Sequence, residues 1–525
     1  MYYMATCIAY ANILKIDCSA YYRRVAGTKQ RVGCQSPYVY TASMFLHLYF
    51  ACAYFSLVTQ PNIIVFLVDD LGWQDTSVPF HIEVTPFNKR YNTPHCELLA
   101  SRGTKFTNAY AAGPVCTPTR TSLLTGQSPA RTHITYWTLY KDKDTSKKHP
   151  TLSPPKWDID ALQPGEITLP SLLQGAGYHT MHVGKAHLGA VDSLGGDPAN
   201  LGFDVNVAGH GAGGPGSFYG THRFMATREN MDFDNHQIWD VPGLEKYHDQ
   251  DIFLSEALAI EACNEIEKAL ATGKPFFLHF APYAVHAPLM PNPKYIDKYP
   301  GIDKREAAYA TMIESADAAL GSVLAKLDSL GIEDNTIVIF TSDNGGLSAH
   351  ARGGKANTHN APLRSGKGSA YEGGIRIPLI VQGLDKKESV NNSNVITHDL
   401  FPTILEYASA TSPLDHVVDG TALGSADPKR VIGWHQPHQW GAPGPGIEPF
   451  TAIRQGKWKL IFFHAGKRCQ LFNLEEDIGE MSDLSVSHPE ILKKMQRLLV
   501  KWATERDAQP SILSENRTPV SWQFD

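Results

Sequence analysis

Two polar pairs in this chain stand at the ends of apolar runs: Asp69-Asp70 closes NIIVFLVDD, and Asp343-Asn344 closes NTIVIFTSDN. Each run is short, rich in β-branched residues and uncharged up to its acids, which is the pattern of a strand buried on both faces. Either pair alone reads as a turn former. Two such pairs at buried strand ends can converge, because ligands of open parallel sheets bind outside the carboxyl ends of the strands. Three carboxylates and an amide oxygen make a hard, all-oxygen donor set that suits Ca²⁺ or Mg²⁺ and does not suit zinc. The stretch CTPTRTSLLTG, residues 116–126, adds a nucleophile. A helix starting just after Cys116 puts Pro118 in its first turn, where the missing N–H is harmless. Cys116 then sits where free N–H groups and the helix dipole favour negative charge, with Arg120 about one turn away on the same face. A nucleophile and a guanidinium are thereby aimed at one anion; the plainer alternative is a buried cysteine beside a structural arginine.

These residues need elements to hold them, and the chain supplies an alternation. TPHCELLASRGTKFTNAY (93–110) reads as helix, glycine stop and strand, and TLPSLLQGAGYHTMHVGKAHLG (168–189) repeats that order before a glycine-flanked Lys-Ala-His. Apolar residues at helical spacing predict helices over 252–271 and 306–328, followed by strands in PFFLHFAPYAVH (275–286) and NTIVIFTSDNGG (335–346), with IRIPLIVQG (375–383) continuing the sheet. The expectation is an α/β fold, a large mostly parallel sheet flanked by helices, spanning 61–430. Residues 140–165 read as a surface loop, and 190–250, dense in glycine, as loops over the functional face. From about 431 to 525 the texture changes to antiparallel strands, FTAIRQGKWKLIFF (450–463) and QLFNLEED (470–477), and an amphipathic helix over 489–506. That stretch predicts a smaller α+β subdomain.

Size and composition limit the rest. A chain of 525 residues accommodates one large and one smaller unit. A formal charge of −6 argues against a nucleic-acid partner, so any anion must be held by a local cluster of cations. The eight cysteines show neither CxxC pairs nor regular spacing. One disulfide among Cys96, Cys263 and Cys469 is left open. MFLHLYFACAYFSLV (44–58) is shorter than the roughly 20 apolar residues of a membrane span and resembles the core of a secretory signal. Within an N-terminal segment 1–60, residues 44–60 are therefore expected to act as a signal peptide starting at Met44, with a periplasmic or secreted product and no stable membrane span.

The Cys116-Thr117-Pro118-Thr119-Arg120 core, followed by Leu123-Leu124-Thr125-Gly126, resembles the signature of the type I, formylglycine-dependent sulfatases of the alkaline phosphatase superfamily. Thr119 stands where serine is commoner. Further segments are similar to the family in matching order over about residues 60 to 480: NIIVFLVDDLGW, GYHTMHVGKAHLG with Lys185 and His187, APYAVHAP with His286, FTSDNGG, and PLRSGKGSAYEGGIRIP with Lys367. The resemblance implies an alkaline-phosphatase-like sheet and oxidation of Cys116 to Cα-formylglycine (3-oxoalanine) by a maturation enzyme. It implies Ca²⁺, with Mg²⁺ second, held by Asp69, Asp70, Asp343, Asn344 and the modified residue 116. It further implies that the hydrated aldehyde attacks sulfur while Arg120, Lys185 and Lys367 neutralise the sulfate. His286 or Lys367 protonates the leaving oxygen, and His187 helps remove the remaining hydroxyl proton.

The chain looks like the bacterial polysaccharide sulfatases, which implies a sulfated carbohydrate substrate, with ulvan, carrageenan and glycosaminoglycans as candidates. In GWHQPHQW (433–440), His435 and His438 are the candidate substrate contacts, and Trp434 reads as packing against the smaller subdomain. Two alternatives stand beside this reading. One is a phosphate or phosphonate hydrolase of the same superfamily, most of which use Ser or Thr with His-rich zinc sites. The other is a non-catalytic carbohydrate-binding relative, which would not need an intact Cys-x-Pro-x-Arg core.

Overall fold

The structure, a computed structural model, describes residues 60–226, 237–349, 352–425 and 427–524. The segment read as a signal peptide, 44–60, lies outside the described residues except for its last position. Among the described residues no helix is long and apolar enough to cross a membrane.

The central element is β1 (Asn62–Val68), all seven residues of which are buried. Its side chains alternate between two cores, as period-two geometry requires. Ile64, Phe66 and Val68 face helices α2 (Leu254–Ala271) and α3 (Lys304–Ser329); Ile63, Val65 and Leu67 face the opposite layer, which contains Leu123, Leu124 and Phe401. Phe66 packs edge-on against Phe280 and stacks on Phe340, with centroids 4.9 and 5.9 Å apart. This is why the run carries no polar residue between Asn62 and its acids.

Around β1 lie β2 (Thr104–Phe106), β3 (His179–Gly184), β4 (Val205–Val207), β5 (Phe276–Ala281), β6 (Thr336–Ser342), β7 (Leu379–Gln382) and β8 (Ser389–Asn391), in the order β8-β2-β7-β6-β1-β5-β3-β4. Every neighbouring pair is parallel except those of β7, which runs antiparallel to both β6 and β2. The strand expected in IRIPLIVQG thus exists but is reversed, and the sheet is mixed. Parallel strands need a crossover that returns the chain to the starting end. The described residues of 343–378 hold only the short helix Glu372–Ile375, and the chain enters β7 from the carboxyl rim.

The C-terminal subdomain is a meander of β9 (Val431–Gln436), β10 (Phe450–Gln455), β11 (Trp458–Phe463) and β12 (Arg468–Asn473). One face packs Ile453, Leu460 and Phe462 on Met495, Leu499 and Trp502 of α4 (Pro489–Glu505). The other carries Trp434, whose indole N–H donates to the Ala111 carbonyl at 2.8 Å, so this residue seals the junction with the large sheet. The first strand, β9, occupies the stretch read from sequence as a candidate sugar contact. Cys96, Cys116, Cys263 and Cys469 are all free thiols.

Candidate active site

β1 and β6 run in register, with Asn62 opposite Thr336 and Val68 opposite Ser342. The residues that follow must therefore emerge side by side. The Asp70 N–H donates to Asp343 Oδ1 at 3.1 Å, and Asn344 Nδ2 donates to Asp70 Oδ1 at 2.7 Å. β3 ends level with β5, Gly184 opposite Ala281, and delivers Lys185 to the same rim. Its Nζ lies 2.7 Å from Asp69 Oδ2 and 4.0 Å from Asp343 Oδ2.

Helix α1 (Cys116–Thr125) begins at Cys116 itself, one residue earlier than the sequence suggested, and Pro118 remains in its first turn. All ten of its residues are buried. Thr119 Oγ1 accepts the Gly113 N–H at 2.9 Å and so ties the helix start to the preceding loop. Gly126 ends the helix at φ 70°, and a β-carbon there would fall 2.6 Å from a ring carbon of Phe401. Cys116 Sγ is 3.8 Å from Asp69 Oδ1 and 3.3 Å from Lys367 Nζ. Arg120 donates from Nε to Asp343 Oδ2 and from Nη1 to the Lys185 carbonyl, both at 2.8 Å. Its Nη2 is buried without a hydrogen-bond partner among the described residues.

Lys367 Nζ is 2.6 Å from Asp70 Oδ1. The smaller subdomain holds the loop that carries this lysine. Glu480 takes the Glu372 N–H at 2.6 Å on its carboxylate and Arg364 Nη1 at 2.8 Å on its carbonyl. Lys459, fully buried, bridges Glu372 and Glu480 at 2.9 and 2.8 Å. His286 donates from Nδ1 to the Ala287 carbonyl at 2.7 Å, and its Nε2 is 3.8 Å from Asp70 Oδ2. His187 donates from Nε2 to the Thr138 carbonyl at 2.8 Å, while its Nδ1 has no partner among the described residues. β-Carbons on Gly213 and Gly214 would approach the His187 and His286 rings to 2.4 and 2.8 Å. The glycine-dense 190–250 region thus lets backbone lie directly over both imidazoles.

Three carboxylates therefore meet three cations in one buried pocket. Burial raises the Asp69 carboxyl well above the usual carboxylate range, although Lys185 and Arg120 oppose it. Burial acts the same way on Asp70 and Asp343, but Lys367 and His286 outweigh it at Asp70, and Arg120, Lys185 and Lys367 outweigh it at Asp343; both are held below that range. Burial pushes the Cys116 thiol up to about 12 against Lys185 and Lys367, so the plain thiol is protonated at neutral pH and a poor nucleophile. Asp70 Oδ2 and Asn344 Oδ1 are buried with no hydrogen-bond partner among the described residues. Two orphaned oxygens on adjoining acid and amide groups fit a hard divalent cation, which would also let Asp69 ionise. Ligand atoms of Asp69, Asp70, Cys116 and His286 lie within 4.8 Å of one another.

The family model for sulfatases matches residues 61–410. The chain belongs to the sulfatase family. Members of that family hydrolyse sulfuric esters. The chain is 31% identical over 517 residues to an N-acetylgalactosamine-6-sulfatase of Homo sapiens, covering 88% of this chain and 89% of the relative. It is 29% identical over 520 residues to a sulfatase of Formosa agariphila, covering 88% and 92%. The crystal structure of Ps i-CgsB in complex with k-i-k-neocarrahexaose superposes with a TM-score of 0.68 at 28% identity, covering 85% of this chain and 93% of that one.

In this sulfatase the cavity over Cys116 holds about 200 Å³. His187, His286 and Lys367 line it beside Cys116, and Trp137, Trp239 and Trp440 supply aromatic walls. The structure does not bring His435 and His438 to that lining. Both are buried with both ring nitrogens engaged, His435 by Thr451 and the Gln509 carbonyl, His438 by Thr135 and Ser146. His438 instead stacks on Tyr136, centroids 4.8 Å apart, and braces the wall. Of the three tryptophans only Trp440 lies in a stretch singled out from the sequence as a candidate sugar contact, GWHQPHQW; Trp137 and Trp239 lie in loops that no periodicity marks.

Gly184 tests how tightly the rim is built. It sits at φ 99°, and a β-carbon would stand 2.1 Å from the Ala281 carbonyl oxygen across the β3–β5 pair. Gly184→Ala is expected to lower stability by about 2–4 kcal/mol through overpacking and the left-handed backbone. It should also displace Lys185, so that sulfatase kcat falls in protein that remains folded. Urea denaturation and steady-state kinetics on the same preparation check both effects.

Proposed function

We propose that the protein is a periplasmic or secreted enzyme that removes sulfate from a sulfated oligo- or polysaccharide, with Cys116 matured to Cα-formylglycine and Ca²⁺ as its metal. The observation that carries this reading is the position of Cys116 Sγ, between Asp69 and Lys367 in a pocket with two orphaned oxygens. The Cys-Thr-Pro-Thr-Arg core supports maturation by a modifying enzyme. Relatives named for N-acetylgalactosamine 6-sulfate and for a neocarrahexaose complex support a sulfated glycan before a simple aryl ester.

Asp69, Asp70, Asp343 and Asn344 would hold the ion, together with residue 116. When present, the ion and the hydrated aldehyde supply a hydroxyl of lowered pKa as the nucleophile. Arg120 Nη2, Lys185 and Lys367 bind and neutralise the ester's sulfate oxygens. Lys367 keeps its proton, since Asp70 and the neighbouring carboxylates overcome its burial and raise its pKa, and it is the group at hand to protonate the leaving oxygen. Burial and Lys367 lower His286 to about 3, so its Nε2 takes a proton only when the bound anion favours it. His187 Nδ1, unprotonated because Nε2 holds the proton against Thr138, is placed to accept the second hydroxyl proton. Three cations against three carboxylates, plus a divalent ion, leave a positive surplus, which attracts an anionic ester.

The test is a panel of sulfated oligosaccharides, with matched phosphate esters, incubated with protein co-expressed with a formylglycine-generating enzyme. Sulfate release from a glycan without comparable phosphate release supports the reading, and no release from any sulfated sugar sinks it. Chelation should abolish turnover. Ca²⁺ should restore more than Mg²⁺, because Mg²⁺ prefers to keep its waters rather than enter an all-protein oxygen cage. At about 100 Kd of free Ca²⁺ the fold should gain about 2.7 kcal/mol, read as a raised thermal midpoint.

A further inference from the structure

The cavity over Cys116 shares a wall with a second one. Trp137 and Trp440, both half-buried in its wall, also line an adjoining depression of about 440 Å³ with Tyr136, Lys147, Ala349 and Pro443. The shared wall is fixed in place. Trp440 lies against Gly368, where a β-carbon would fall 2.2 Å from its ring, and Trp137 packs with Val115, Tyr136 and Trp157. Tyr136 Oη and the Lys147 N–H both donate to the Gln439 carbonyl at 3.0 Å, which ties the three sides of the depression together. Lys147 itself is exposed, and among the described residues no carboxylate pairs with its ammonium.

A hollow with aromatic walls that continues a glycan pocket and ends at an unpaired cation is complementary to a sugar ring bearing negative charge. We infer that this depression holds the sugar next to the one that loses its sulfate, and that this neighbour carries an anionic substituent, a sulfate ester or a carboxylate, facing Lys147. The inference rests on the glycan reading above and narrows it: the substrate is at least a disaccharide, charged on both sugars.

The test uses full-length Cys116→Ala protein, which holds ligand without turning it over. It is titrated calorimetrically with a sulfated monosaccharide and with disaccharides whose second sugar is neutral, sulfated or carboxylated. An anionic neighbour is expected to tighten binding about fivefold over the neutral one, the size of a partly exposed ion pair. That advantage should vanish near 1 M salt, where screening acts over about 3 Å. Lys147→Gln should erase it and leave the monosaccharide unchanged, and Ala442→Glu, on the rim, should reverse it. The arm that gains, sulfated or carboxylated, identifies the substituent. Equal affinities for all the disaccharides, or a Lys147→Gln loss shared by the monosaccharide, would overturn the inference. Sulfate release by matured wild-type protein tests the glycan reading separately, since it needs no preference between neighbours.

Discussion

Replacing Cys116 by alanine is expected to reduce sulfate release by about 10⁵-fold or more, the scale seen when an enzyme loses its nucleophile outright. The side chain is small and occupies the first position of α1, where alanine is well tolerated. The fold should therefore survive, and Asp69, Asp70, Asp343 and Asn344, the groups proposed to hold the ion, should stay in place with Arg120 and Lys185. Substrate affinity is then expected to change little while kcat collapses. Cys116→Ser separates the rival chemistries. A hydroxyl at this position could serve a phosphohydrolase as a direct nucleophile, but it cannot act as the hydrated aldehyde proposed here unless it is itself oxidised. Mass analysis of the peptide carrying residue 116 decides which form is present. Residual sulfatase activity above about one per cent in the alanine variant, with wild-type carry-over excluded, would falsify the assignment of residue 116 as nucleophile.

The sequence made this site legible because its chemistry is tied to strand ends. A run such as Ile63–Val68 must be apolar on both faces, so Asp69-Asp70 stands out as the point where the strand leaves the core. Aligned register then brings Asp343-Asn344 beside it without further information. Direction was not legible in the same way. The apolar pattern of β7 is identical whether it runs with or against its neighbours, and only the absence of a long helix among the described residues of 343–378 hints at reversal. The pocket walls were largely hidden, although Trp440 closes the GWHQPHQW stretch. Trp137, Trp239 and Trp440 converge from loops far apart in sequence, and no periodicity marks a loop residue that lines a cavity. His435 and His438 misled for the opposite reason. Histidines among aromatics could have hydrogen-bonded a sugar, whereas β9 carries His435 into the small subdomain and Thr135 and Ser146 saturate His438.

Arg120→Lys is expected to keep the charge and lose most of the activity. The guanidinium does three things at once: Nε holds Asp343, Nη1 holds the Lys185 carbonyl, and Nη2, 3.8 Å from Asp69 Oδ1, has no hydrogen-bond partner among the described residues. An ammonium cannot present that planar fork, so one or more of these contacts must fail. If the lysine takes the Asp343 contact, the sulfate loses a donor that a water-excluding site makes expensive to replace. kcat/KM is then expected to fall by about 10²–10³-fold, as for loss of one preorganised oxyanion donor. Stability should fall as well, by about 2–3 kcal/mol, because the Lys185 carbonyl is left buried and unsatisfied. The acid side of the stability profile supplies a second readout. Burial opposes ionisation of Asp343, yet Arg120, Lys185 and Lys367 hold its folded-state carboxyl well below the usual range. Its contribution is therefore present above the unfolded value of about 3.9 and is lost as pH falls through the depressed one. With Arg120 weakened the folded value rises towards the unfolded one, that contribution shrinks, and acid unfolding of the variant should begin at a higher pH than in the wild type. A variant that loses stability but retains full kcat/KM would show that Arg120 braces the rim without touching the sulfate.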